Sequence, residues 1–183
     1  MRFQLLLING APGVGKSTLA RRFADEHALA LIIDVDDIRR HLGQWAERDE
    51  SKVVARDLAI ALARDHLMRG SDVIVPQYLP RSEFRERLRA LADDVGTPFV
   101  ETVLTDDADT VIERFMVRRR EYASAGTAHP ESELGDDSVA TQVRQAIERL
   151  RRDAADRGVP VISGRDGLEV AYAELLWCVA PHL

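Results

Sequence analysis

Five short apolar runs punctuate the chain, at residues 3–9, 30–34, 72–75, 98–105 and 160–163. The first is unbroken from Leu5 to Ile8, as a strand covered on both faces requires. Between the runs the polarity changes with helical period. Residues 18–26 place Leu19, Ala20 and Phe23 at helical spacing, and residues 36–42 make a short helix. Residues 50–69 predict a long helix, with Val53, Val54, Leu58, Ala61, Leu62 and Leu67 on its inner side and Gly70 as its stop. Further helices are expected at 82–92, 106–122, 138–157 and 166–179; the second of these begins on acids and ends on arginines, which suits the helix dipole. Strands alternating with helices predict an α/β fold with a parallel sheet covered on both faces. Ligands then gather at the carboxyl ends of the strands.

The first such end is the most informative. Residues 10–17, Gly10-Ala11-Pro12-Gly13-Val14-Gly15-Lys16-Ser17, satisfy G-x-x-x-x-G-K-[ST] between a predicted strand and a predicted helix. Glycines at 10, 13 and 15 are expected to take positive φ and turn backbone N–H groups inward. Those groups and the helix start, through Thr18, form an anion nest. Lys16 reaches the β- and γ-phosphates of a nucleoside triphosphate, and Ser17 offers its hydroxyl to Mg²⁺.

Composition narrows the rest. The chain has 183 residues and a formal net charge of −6, which fits one domain over 1–183 and argues against bulk nucleic-acid binding. A single cysteine, Cys178, excludes an internal disulfide framework. No run is apolar for long enough to cross a membrane and no leader is evident, so a cytoplasmic location is expected. Oligomeric state leaves no signal. The segment 124–137, rich in Gly, Pro, Ser and acids, reads as a loop or lid rather than a linker.

The second strand delivers Asp34-Val35-Asp36-Asp37. Asp34 and Asp36 fall on one side of an extended chain end. One carboxylate can hold Mg²⁺ and the other can accept or orient an acceptor's proton. Either aspartate fits either role at this point, and Asp37 is expected to cap the following helix.

The phosphate loop followed by Asp-x-Asp resembles the small P-loop kinases. Shikimate kinase has a similar pair, and residues 32–42 (IIDVDDIRRHL) are similar to the chloramphenicol phosphotransferase and zeta-toxin group, where one aspartate at the position of Asp36 serves as base. The resemblance implies a three-layer α/β/α P-loop NTPase fold, with five parallel strands in the order 2-3-1-4-5 and an arginine-bearing lid near 114–137. It implies transfer of phosphate from ATP to a hydroxyl or phosphate of a small acceptor. One departure stands out. Such proteins usually end the strand beside the phosphate loop with an acid, whereas here that strand ends in Pro76-Gln77. Either Asp34 supplies the charge, or Ser17, phosphates and water hold the metal. Gln77 and Tyr78 either bond the acceptor or only turn the chain.

Arg114 and Arg118 are four apart and share a helix face, with Arg119 beside them. The resemblance places such guanidinium groups on the transferring phosphoryl group, a task suited to a permanently charged fork. It places Arg165, after the last strand, at the adenine. The chain lacks the guanine-reading Asn-Lys-x-Asp motif, which favours ATP. Two other readings are a polynucleotide 5′-hydroxyl kinase and a nucleotide-binding regulatory protein with little turnover.

Overall fold

The structure is a computed structural model and describes residues 3–124 and 136–179, with the backbone alone at 122–123 and 136–137. The strands are β1 (Leu5–Asn9), β2 (Leu31–Ile32), β3 (Val73–Gln77), β4 (Phe99–Thr105) and β5 (Val161–Ser163). The helices among the described residues are α1 (Lys16–Glu26), α2 (Val35–Arg40), α3 (Ser51–Met68), α4 (Ser82–Val95), α5 (Ala108–Ser124), α6 (Asp136–Arg157) and α7 (Leu168–Val179). All strand pairs are parallel, in the order β2-β3-β1-β4-β5. This is the P-loop NTPase α/β arrangement that the sequence led us to expect. Residues 125–135, part of the expected lid near 114–137, lie outside the described residues.

Alternation along β1 builds the two faces. Leu6 and Ile8 join a core with α1, α5, α6 and α7, while Leu5 and Leu7 join a second core with α3 and α4. All four are fully buried, so β1 lies at the centre of the molecule with the phosphate loop at its exit. No helix among the described residues is long and apolar enough to cross a membrane.

The inner face of α3 differs from the expectation. Its buried positions are Ser51, Ala55, Ala59, Ala63 and Leu67, and Val53, Val54, Leu58 and Leu62 are exposed. The stripe repeats every four residues and is made of small side chains. These let α3 lie close against its neighbours, so its larger apolar residues turn outward.

A polar pocket is also buried beside β4. Glu101 receives two hydrogen bonds from Arg157, at 2.7 and 2.8 Å, and Arg157 and Arg85 both reach Asp153. The carboxylates and guanidinium groups pair there, as buried charges must.

Candidate active site

The phosphate loop is held at both ends. At its start, Asn9 Oδ1 accepts from Gly10 N (2.9 Å) and Leu79 N (3.0 Å), and Asn9 Nδ2 donates to Leu79 O (3.3 Å). Asn9 is fully buried, and it ties the loop to the turn after β3. At its end, Gly15 caps α1 with φ of 102°. Gly13 also has positive φ, 85°, but Gly10 does not, contrary to expectation. Gly10 is required for space instead, because a Cβ there would lie 2.7 Å from Leu104 O. A Cβ on Gly13 would lie 2.8 Å from Val111 O and 3.0 Å from Phe115 Cβ. The bare backbone of Gly13 thus lets α5 pack directly on the loop and fixes where the arginines of α5 stand.

Two cavities open at this edge. The larger, about 570 Å³, is lined by Gly13, Val14, Gly15, Thr18, Leu104, Arg114, Arg118, Gly164 and Leu168 among others. The smaller, about 360 Å³, is lined by Pro12, Lys16, Ser17, Asp34, Asp36, Gln77 and Arg118, together with Trp45, Tyr78 and Phe84 among others. Gly13 and Arg118 line both. The turn of the phosphate loop therefore forms the passage between them.

Lys16 Nζ donates to Ala11 O at 3.0 Å. Burial pulls its pKa down to about 8; Asp34 and Asp36 oppose that shift and Arg118 adds to it. The ammonium thus feels both carboxylates and the guanidinium at once. A poorly hydrated ammonium among backbone N–H groups is a strong site for phosphate oxygens.

Asp34, not Asp37, caps α2. Its Oδ1 accepts from Asp36 N (2.9 Å) and Asp37 N (3.2 Å), because Asp34 is the residue in extended conformation just ahead of the helix. Asp37 is ion-paired with Arg40. Burial raises the pKa of Asp34, and the nearby Asp37 and Asp36 raise it further. Among the described residues the cap engages Oδ1 and leaves Oδ2 without a hydrogen bond. Ser17 and Asp34 line the same cavity and offer the hard oxygen donors that Mg²⁺ shares with phosphates and water. Among the described residues no cluster of three or more His, Cys, Asp or Glu could hold a metal by itself.

Gln77, in the place of the usual acid, turns to Asp36. Its Nε2 donates to Asp36 Oδ2 at 3.1 Å, and its Oε1 is buried with no hydrogen-bond partner among the described residues. Asp36 is exposed and lines the cavity, and its Oδ1 has no hydrogen-bond partner among the described residues. The amide therefore fixes one oxygen of the Asp36 carboxylate.

The arginines divide. Arg118 lines both cavities. Arg114 lines the larger one and its Nη1 donates at 2.9 Å to Oδ2 of Asp106, a buried carboxylate at the end of β4. Arg119 lines neither cavity. Arg165 pairs with Asp107 at 3.9 Å, and Gly164, Gly167, Leu168 and Ala171 line the cavity in its stead. That wall is backbone and apolar side chain, suited to a flat ring.

Other site residues were not singled out from the sequence. Asn9 precedes the motif, and Asp106 looked like part of a helix start. Ser51 is 5% exposed, accepts from Arg39 Nε at 2.9 Å and donates to Trp45 O at 2.8 Å. A serine at the start of a helix gives no hint of such a role.

A family described as an AAA domain (AAA_33) matches residues 5–135. An adenylate kinase of Deinococcus radiodurans is 31% identical over 80% of this chain and 78% of its own length. An adenylate kinase of Deinococcus deserti is 29% identical over 90% of this chain and 86% of its own. An adenylyl-sulfate kinase of Myxococcus xanthus is 31% identical over 67% of this chain and 68% of its own. Among solved structures, a Chloroflexus aurantiacus protein superposes with a TM-score of 0.68 at 18% identity, covering 100% of both chains. A gluconokinase of Sinorhizobium meliloti does so with a TM-score of 0.60 at 17% identity, over 98% of this chain and 93% of its own.

Proposed function

This chain belongs to the AAA_33 family of AAA domains and is an ATP-dependent phosphotransferase, and on that premise we propose how it divides the work. ATP places its base in the larger cavity and its triphosphate along the loop. A small acceptor occupies the smaller cavity, and the γ-phosphoryl group crosses at the passage. The observation that carries this reading is that, among the described residues, Gly13 and Arg118 line both cavities and no other residue does. A triphosphate running from one to the other must end between Arg118 and Lys16.

In the transfer, the acceptor oxygen bonds to the γ-phosphorus as the bond from that phosphorus to the β–γ bridging oxygen breaks. ADP leaves with the electron pair. The acceptor's hydroxyl proton passes to Asp36, whose other oxygen Gln77 holds still. Lys16 and Arg118 neutralise charge on the moving group. The side chain of Arg114, steadied by Asp106, borders the base. Ser17 and Asp34 would hold Mg²⁺, which would supply further charge to the β- and γ-phosphates.

The smaller cavity lies within the size range of sites for small molecules. A second reading, transfer to the 5′-hydroxyl of a polynucleotide, draws support from Arg39, Arg40, Lys52 and Arg56 in the lining beside Asp36.

The test is ADP release from ATP and Mg²⁺, with pooled nucleosides, nucleotides, sugars, sugar acids, hydroxylated antibiotics and 5′-hydroxyl oligonucleotides. One pool should raise turnover well above the rate without acceptor, and Lys16→Ala should remove that gain. Equal turnover in Lys16→Ala, or no ATP binding by the native chain, would overturn the reading.

A further inference from the structure

We propose that the acceptor carries an anionic group, a phosphate monoester or a carboxylate, and that Arg39 and Arg56 hold it while Asp36 faces its hydroxyl. This rests on the kinase reading above and names the class of its acceptor.

The chain as a whole is acidic, with net charge −6. The smaller cavity is the reverse: among the described residues six cationic ones line it against two acids, Asp34 and Asp36. Four of the cations have other work. Lys16 and Arg118 stand at the passage, where the transferred phosphoryl group must lie. Arg40 is paired with Asp37, and Lys52 lies 3.3 Å from Asp49. Arg39 and Arg56 remain. Both are half-buried, and neither has a carboxylate within 4.0 Å among the described residues.

Arg39 is also held ready. Its Nε donates to Ser51 Oγ at 2.9 Å, its Nη2 donates to Trp45 O at 3.3 Å, and its guanidinium lies 5.0 Å from the centroid of the Trp45 ring. Ser51 is buried and is itself bonded to Trp45 O. Two of the five guanidinium N–H groups are used, which leaves three for a ligand. Arg56 reaches the cavity from α3, 5.7 Å from the centroid of Phe84. A partly desolvated guanidinium without a counter-charge is unfavourable unless the ligand brings one. A fork fixed in advance loses little entropy on binding and suits the paired oxygens of phosphate or carboxylate. Trp45, Tyr78, Leu79 and Phe84 give the rest of the acceptor an apolar wall. Such a site selects against cationic acceptors such as aminoglycosides. It also selects against neutral sugars and nucleosides relative to their phosphorylated or oxidised forms.

The experiment reads binding, so it does not depend on turnover. The whole chain is saturated with β,γ-imido ATP and Mg²⁺ and titrated calorimetrically with matched pairs. These are nucleoside 5′-monophosphates against nucleosides, hexose 6-phosphates against hexoses, and sugar acids against sugars, with a 5′-hydroxyl oligonucleotide as a further arm. At least one anionic member is expected to bind tenfold or more tightly than its neutral partner. The phosphate and carboxylate arms tell which anion it is. Arg39→Gln and Arg56→Gln should each weaken that anion tenfold or more and leave the ATP analogue unchanged. Arg39→Lys should recover only part of the loss, because it restores charge without the fork. Melting curves with the analogue bound show that the variants are folded. Equal or tighter binding of the neutral members overturns the proposal, as does absence of binding by every anion. Preference for the oligonucleotide, or anion binding indifferent to both arginine variants, also overturns it. ADP release on the same panel keeps the kinase reading separate: turnover with neutral acceptors sinks the anion and leaves the kinase.

Discussion

The two ends of the site are built in different ways. The proposed nucleotide end has bare backbone in its lining, at Gly13 and Gly15 of the loop and at Gly164 and Gly167 after β5. The acceptor end is mostly side chain, contributed by α2, α3, β3 and α5, with charges and aromatic rings facing inward. A backbone wall recognises what every ATP has in common. A side-chain wall can change residue by residue while the fold persists. The difference locates chemical identity at the acceptor end and chemical competence at the passage, and it can be tested from both sides.

The largest effect is expected at Asp36. Asp36→Asn removes the proton acceptor yet can keep the bond from Gln77, so kcat should fall by about 10²–10⁴. The KM for ATP should stay within about twofold of the native value, because Asp36 lines only the acceptor cavity. Steady-state rates against ATP and acceptor measure both. An unchanged kcat would remove the proton from the account of Asp36.

The next effect probes the passage through pH. Lys16 has its pKa pulled down to about 8 in the ligand-free chain by burial. Triphosphate binding should keep it charged. Below pH 8 free and bound forms both carry the proton, so affinity is flat. Above pH 8 the free form has lost it and binding must take it up, so the Kd for ATP should rise about tenfold per unit toward pH 10. Calorimetry in two buffers of different ionisation enthalpy would count the proton. A flat profile to pH 10 would mean that Lys16 stays charged without its ligand.

A smaller effect separates the two tasks given to Asp34. Asn is as good a helix cap as Asp, so Asp34→Asn should keep the bonds to Asp36 N and Asp37 N and hence the melting temperature. It removes the charge, so the Mg²⁺ concentration for half-maximal rate should rise by about tenfold. Chelation by EDTA should stop turnover in both proteins. An unchanged Mg²⁺ requirement would leave Ser17, phosphates and water to hold the metal.

How much of this could be read from sequence follows the same division. The phosphate loop is eight contiguous residues whose chemistry is local, so its pattern carried both the nest and the lysine. The order of the strands came through resemblance, because no periodicity encodes which strands are neighbours. The acceptor end joins residues far apart in the chain. Gln77 meets Asp36 across 41 positions, and Arg39 meets Ser51 across 12. Gln77 was recognised as a departure, but its partner depends on the twist that brings β3 beside the start of α2. Arg165 pairs with Asp107, 58 positions away in the chain, a contact that strand position alone does not reveal.

The inner face of α3 marks the same limit and gives the smallest test. Hydrophobic pattern pointed to Val53, Val54, Leu58 and Leu62, but closeness of approach selected Ala55, Ala59 and Ala63. Two neighbouring substitutions should therefore behave in opposite ways. Ala59 is 2% exposed, so Ala59→Leu would force three extra carbons into a closed interface and cost about 1–3 kcal/mol. Leu58 is 42% exposed, and Leu58→Gln should change stability by less than about 0.5 kcal/mol. At this chain length 1 kcal/mol moves the melting temperature by about 2–4 °C, so thermal unfolding resolves the pair. α3 also carries Arg56, and pushing it outward through Ala59→Leu should weaken the acceptor more than ATP. If instead Leu58→Gln were the damaging change, the outer face of α3 would be covered in solution, and the concentration dependence of its melting would show by what.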